Sequence, residues 1–330
     1  MTDLLEHVLE VARRAGVEAA ETCRRVQADR EDGPAAMAKM GDEPVTVADY
    51  GSQAVILRHV REEFPDHGVI AEEGAEHLRQ ESTPETSAYM SDLVSGTVGR
   101  AVAFPEVCEW IDHHGQSDAE YVWVIDPIDG TKGFLRGGQF AVAIGVLRNR
   151  EPWVGVLACP NLQVRPGSDD LGVLFVAARD RGTLRESLDG ADRCEVRVSE
   201  SEAPENIRIL GSVESAHGDP KLMTAVMADI GIGGGVVRLD SQVKYGVVAS
   251  GEGEIYLRPR SRPDYREKIW DHVAGVVVVE QAGGRVSDLD GRPLDFTLGS
   301  RLEENRGVLA TNGAVHDAVL ASLRRTEASG

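Results

Sequence analysis

Residues 121–133 read Tyr121-Val-Trp-Val-Ile-Asp126-Pro-Ile-Asp129-Gly-Thr-Lys-Gly133: an apolar run, two acids, then a glycine-rich turn. Tyr121 to Ile125 predict a buried strand, and Gly130 with Thr131 predict a tight turn that opens a helix. Two carboxylates at the end of a buried strand repel each other unless a cation lies between them. The spacing of Asp126 and Asp129 lets both side chains turn to one side of a loop, where hard oxygen ligands suit Mg2+. A purely structural turn is the competing account, because Asp, Pro and Gly all favour turns. The strand-to-helix setting favours the metal.

Working outward, short β-rich runs follow one another from Tyr121 to about Ser199: YVWVI, FAVAIGVL, PWVGVLA, VLFVAA and CEVRV. Gly137-Gly138, Asn149 and Pro166-Gly167 separate them, which predicts an antiparallel sheet. From about Asn206 the texture changes to alternating strand and helix, through IRILGSV, KLMTAVMADIG, VVRLD, VKYGVVASGEG, IYLRP, DHVAGVVVVEQAGG, GVLATN and AVHDAVLASLRR. That alternation predicts an α/β layer. The expected division is an α+β domain over 1–204 and a smaller α/β domain over 205–330, with the boundary in the polar stretch around Pro204. Residues 75–118 are polar and lack a strong period, so they predict a helical or mobile excursion, the kind of segment that forms a lid.

The chain has 330 residues, 42% of them hydrophobic, enough for one large domain or two modest ones. Its net charge of −20 repels nucleic-acid polymers at long range. A small anionic substrate remains compatible, provided that metals and local cations invert the sign inside a cleft. Cys23, Cys108, Cys159 and Cys194 are scattered with no Cys-x-x-Cys, which argues against structural zinc and a disulfide framework. Leu4, Leu5, Val8, Leu9, Ala12 and Ala15 recur at helical spacing among charges, an amphipathic helix rather than a signal peptide. No apolar run approaches the ~20 residues of a membrane span. The expectation is a soluble, cytoplasmic protein of undetermined oligomeric state.

Acids end elements at three further places. Asp49 lies in PVTVADYGSQAVILRHV, where Thr46 and Asp49 have capping-box spacing, so Asp49 reads equally as a helix cap. Glu72 ends a short apolar strand in GVIAEEG, where a solvated loop acid is the ordinary meaning. Asp271 in KIWDHVAG stands at the start of an apolar helix, where capping is the local account.

Taken together, PVTVADYGSQ, AEEG, WVIDPIDGTKGFLRGGQFAVAIGVL and KIWDHVAGVVVVEQAGG resemble, in order, the inositol monophosphatase-like, lithium-sensitive phosphatases. GTKGFLRGGQFAV, VESAH, LDSQVKYGVVASGEGEIYLRPR and YREKIWDH are similar to the branch of 3′(2′),5′-bisphosphate nucleotidases, and the resemblance covers nearly the whole chain. It implies a layered αβαβα sandwich with metals at the junction of its two parts. Glu72, Asp126, the Ile128 carbonyl, Asp129 and Asp271 would hold two or three Mg2+ ions, and Asp49 with Thr131 would orient the attacking water. The turn at Gly130 and Thr131 would receive the phosphate through its N–H groups. His217, Ser241, Lys244 and Arg258 match positions used around the adenosine and its non-reacting phosphate, and Lys268 sits in a matching motif without an assigned contact. The implied reaction is hydrolysis of adenosine 3′,5′-bisphosphate, a by-product of sulfate activation, to AMP and phosphate. Activity on the sulfated nucleotide is left open. An inositol phosphatase of the same superfamily and a catalytically silent nucleotide-binding regulator are the alternatives. DSQVKYG and REKIWDH weigh against the first, and the complete acid set against the second.

Overall fold

A computed structural model describes residues 2–29, 36–38, 44–116, 118–213, 219–260, 262 and 264–328. The chain begins with the long helix α1 (Thr2–Ala28), followed by the paired strands β1 (Ala36–Ala38) and β2 (Pro44–Thr46) and helix α2 (Val47–Glu63). Thr46 and Asp49 form the capping box expected of their spacing, which starts α2.

Strand β3 (Gly68–Ala71) leads into three helices, α3 (Ala75–Glu81), α4 (Pro84–Val98) and α5 (Phe104–Ile111), within the stretch read as an excursion. Thr83 caps α4 with its hydroxyl, Pro84 takes the first turn, and Gly99 ends the helix in a left-handed conformation. Met90, Leu93 and Val94 of α4 and Val107, Trp110 and Ile111 of α5 lie in the same buried cluster as α1 and α2. Their apolar residues recur at helical spacing, but α3 and α5 are only 7 and 8 residues long, and α4 sets its few buried apolar residues among Ser, Thr and Gly.

The main sheet follows: β4 (Tyr121–Asp129), the short helix α6 (Thr131–Arg136), then β5 (Ala141–Arg148), β6 (Glu151–Gln163), β7 (Leu171–Ala178), β8 (Thr183–Ser187) and β9 (Arg193–Val196). These strands form an antiparallel meander, and β3 joins its edge parallel to β4. A second sheet, of order β11-β10-β12-β14-β13, is built from β10 (Ile209–Gly211), β11 (Val236–Arg238), β12 (Ile255–Arg258), β13 (Arg285–Ser287) and β14 (Val308–Thr311). Its helices are α7 (Pro220–Ile230), α8 (Val243–Ala249), α9 (Val273–Gln281) and α10 (His316–Ala328).

Period-2 alternation along the strands sets the layers. Trp123 and Ile125 of β4 pack with α1 and α2, whereas Val122 and Val124 face a second cluster containing α8, α9 and Tyr256. Helix α9 therefore lies between the two sheets, and its Val276–Val279 run is buried. A third cluster joins Ile209, Ile255 and Leu309 to Val226 of α7 and Val319 of α10. The order of layers is helix, sheet, helix, sheet, helix. Among the described residues no helix is long and apolar enough to cross a membrane.

Candidate active site

The site forms where β4 ends. Strict alternation would send Asp126 and Asp129, three apart, to opposite faces of the sheet. Instead the register shifts: Asp126 pairs with Ala143 but Asp129 with Ala141, so β4 carries one extra residue. This bulge sets both acids within one group of interacting charges. It is pinned from two sides, since Ile128 N donates to Asp126 Oδ1 (3.1 Å) and Ser52 Oγ donates to the Pro127 carbonyl (2.9 Å).

The parallel pairing of β3 with β4 brings in Glu72, whose N–H donates to the Ile125 carbonyl at 3.1 Å. Burial pushes the Asp126 carboxyl well above the usual carboxylate range, and the charges of Glu72, Asp129 and Asp271 add to the effect, with a hydrogen bond to Glu72. Asp129 Oδ2 accepts from the Gln242 N–H at 2.6 Å, so a backbone group of the second half of the chain holds a carboxylate of the first. Asp271 ends a single 3-10 turn before α9. It does not cap that helix; His272 occupies the cap position without a side-chain capping bond. The Asp271 carboxylate instead accepts from Arg258 Nη2 at 2.7 Å. Burial raises its pKa, opposed by Arg258 and reinforced by Asp129.

Asp49 caps α2, as its spacing implies, and also faces Thr131. Oδ2 accepts from Thr46 N and Thr46 Oγ1, each at 2.7 Å, while Oδ1 faces Thr131 Oγ1 at 3.4 Å. The Thr131 hydroxyl also lies 3.2 Å from the Ile128 carbonyl, giving its one proton two acceptors. Gly130 precedes it with φ of 90°, and a β-carbon there would stand 2.9 Å from Cβ of Ser241. Ser241 is itself left-handed, with φ of 65°.

Of the residues expected to meet the nucleotide, Ser241 and Arg258 border this cluster. Arg258 also bonds the buried Glu267 at 2.8 Å. Burial alone would raise the Glu267 carboxyl, but Arg258 and His272 outweigh it and hold the carboxyl below its ordinary value. Lys244 is buried, with Nζ donating to the Leu239 carbonyl (3.0 Å) and lying 5.1 Å above the Tyr256 ring. Burial pulls its amine down to about 8, partly offset by Asp129. Lys268 sits over the Trp270 ring at 4.7 Å. His217 lies outside the described residues. Motif reading gave no role to Gln242, Tyr245, Glu267 or His272, although DSQVKYG and REKIWDH contain all four.

Neighbouring carboxylate charges that, with burial, push Asp126 and Asp271 upward suit a divalent cation. Arg258 reaches Asp271, and Lys244 is turned to a carbonyl. Layered fold and carboxylate cluster together define a class, and the chain belongs to the inositol monophosphatase family, which it matches over residues 1–328. Among curated relatives it is similar to the 3′(2′),5′-bisphosphate nucleotidase of Oryza sativa, 38% identical over 96% of this chain and 93% of that protein. The 3′(2′),5′-bisphosphate nucleotidase of Schizosaccharomyces pombe is 32% identical, over 86% and 85% of the two chains. Among solved structures, the inositol monophosphatase from Anabaena superposes with a TM-score of 0.64 at 26% identity, covering 97% of this chain and 96% of that one. These findings agree with the family and the layered fold that the motifs imply.

Proposed function

We propose that this chain hydrolyses adenosine 3′,5′-bisphosphate to AMP and phosphate, with Glu72, Asp126, the Ile128 carbonyl, Asp129 and Asp271 holding two or three Mg2+ ions. The observation that supports the reading is that Glu72, Asp129 and Asp271 lie near enough to Asp126 for their charges, on top of burial, to drive its carboxyl away from the charged form. When bound there, Mg2+ supplies Lewis acidity toward the phosphate and acidifies water.

The protein's own groups account for the rest. Thr131 does not titrate near neutrality, so its hydroxyl orients the attacking water by accepting a hydrogen bond while donating its own proton toward Asp49 Oδ1. Asp49 is suited to receive it, because Oδ2 is already committed to Thr46 and Oδ1 is the atom facing Thr131. The turn at Gly130 and Thr131 has no side chain at its first position, which lets a phosphate approach the backbone closely. Arg258 and Ser241 border the cluster, and with Lys244 and His217 they are assigned to the substrate's second phosphate and adenosine. The identity to the nucleotidases of rice and fission yeast supports the nucleotide over an inositol phosphate.

The test is phosphate release from adenosine 3′,5′-bisphosphate, its sulfated analogue, 3′-AMP and inositol phosphates, with Mg2+ and with EDTA. Release from the bisphosphate in excess over 3′-AMP, abolished by EDTA, is expected. Full activity in EDTA would remove the metal from the account. Preference for an inositol phosphate would assign the substrate to the sister branch, and no release from any ester would leave a silent binding protein.

A further inference from the structure

Arg258, Glu267, His272 and Tyr245 form a buried chain of contacts that ends on Asp271. Arg258 Nη2 donates to Glu267 Oε2 at 2.8 Å and to Asp271 Oδ2 at 2.7 Å, so the two hydrogens of one nitrogen are divided between two carboxylates. Behind Glu267, His272 Nε2 lies 3.3 Å from the same Oε2, and His272 Nδ1 lies 2.8 Å from the Tyr245 hydroxyl. An ionised carboxylate only accepts, so a single ring proton belongs on Nε2, and Tyr245 then donates to Nδ1. Every polar atom of His272 is thereby used, and its side chain is fully buried. Tyr245 reaches it because residue 275 is glycine; a β-carbon there would stand 2.1 Å from the tyrosine ring. Glu267, Asp271 and His272 lie close enough to suggest a metal seat of their own. Arg258 already bridges the two carboxylates, and both ring nitrogens of His272 are engaged, so the trio is better read as a support.

A guanidinium freed from Glu267 could turn its planar fork onto Asp271 and bind it through two parallel hydrogen bonds. That would neutralise a carboxylate which, on the function proposed above, must hold a metal. We propose that Glu267, held by His272 and Tyr245, is a positioning residue that shares Arg258 with Asp271 and so keeps Asp271 available as a metal ligand.

The experiment is Mn2+ binding to the full metal-free chain, read by the loss of the free Mn2+ signal in electron paramagnetic resonance. The proteins are the wild type, Glu267→Gln, Arg258→Gln and the double variant. Glu267→Gln should weaken binding about tenfold, in line with one charge-assisted hydrogen bond. Arg258→Gln should bind at least as tightly as the wild type. In the double variant the cost of Glu267→Gln should vanish, because the residue acts through Arg258. If Glu267→Gln weakens binding equally in both backgrounds, its charge acts only through space and the proposal fails. It fails alone if the wild type binds and Glu267→Gln matches it. A wild type that binds no Mn2+ overturns the metal reading itself and the inference with it. Should Glu267→Gln not fold, Tyr245→Phe removes only the far hydroxyl. A two- to threefold weakening, roughly, that disappears with Arg258→Gln is then expected; an unchanged affinity refutes the proposal.

Discussion

Replacing Asp126 with Asn separates a metal-holding carboxylate from a turn residue without relying on catalysis. In the metal-free protein, burial holds this carboxyl well above its usual pKa, with the charges of Glu72, Asp129 and Asp271 adding to the shift. The unfolded chain releases the same proton near pH ~3.9. Above that pH and below the folded pKa, the folded protein carries a proton that the unfolded chain has lost. The stabilisation is therefore complete below about pH 3.9 and is lost as pH rises through the folded pKa, at up to about 1.4 kcal/mol per pH unit for one proton. Asparagine keeps the shape, can donate to Glu72, and has no such proton to lose.

In EDTA, Asp126→Asn should consequently gain on the wild type as pH rises above the unfolded value toward the folded one. For a chain of this size the gap in Tm should widen by about 2 °C per pH unit within that window. Added Mg2+ should reverse the ranking at pH 7.5, because only the wild type offers the full ligand set and binding to the folded state stabilises it. Thermal melts followed by circular dichroism, with and without the metal, measure both effects. Wild-type and variant Tm profiles that run parallel at every pH above the unfolded carboxylate value in EDTA would refute the electrostatic argument, and Mg2+ stabilising both equally would refute the role of Asp126 as a ligand.

Gly130→Ala should destabilise the protein by about 1–3 kcal/mol, since it forces a side chain into a left-handed turn against Ser241. Denaturant unfolding reads the loss, and a change below about 0.3 kcal/mol would show that the turn relaxes freely. Lys244, its amine lowered by burial to about 8, should bind a second phosphate less well as pH rises through that value. KM for the bisphosphate should then climb by up to about tenfold per pH unit above 8, while KM for a small phosphomonoester stays flat. Parallel KM profiles for the two substrates would remove Lys244 from the pocket.

The strands were legible because both faces of the main sheet are buried yet belong to different clusters, leaving apolar runs such as Tyr121–Ile125 too short for a buried helix and bounded by turn residues. The acids were legible one at a time, each at the end of an element. What sequence spacing does not contain is the bulge after Asp126, which alone makes i and i+3 positions of a strand share a side. Nor does it contain the parallel docking of β3, through which Glu72 becomes a neighbour of Asp126 across more than fifty residues of chain. Helices α3 to α5 were obscured because α3 and α5 are short and α4 mixes its apolar residues with Ser, Thr and Gly, so their burial depends on α1 and α2 more than on their own period.

The cations illustrate the same limit from the side of function. In sequence, Arg258 and Lys244 are two positive residues on an acidic chain, and a dianionic substrate is a sufficient reason for both. In space they differ. Arg258 is committed to two carboxylates and so belongs to the support of Asp271 as well as to any substrate contact. Lys244 faces a carbonyl and a tyrosine ring, contacts that a phosphate can displace without stranding a buried carboxylate. On the roles proposed above, truncating Arg258 is expected to weaken substrate binding while leaving the metal held at least as tightly, whereas truncating Lys244 is expected to act on the substrate alone. A charge becomes assignable to a role only when its partners are known, and partners that lie far apart in sequence are fixed by the layers that bring them together.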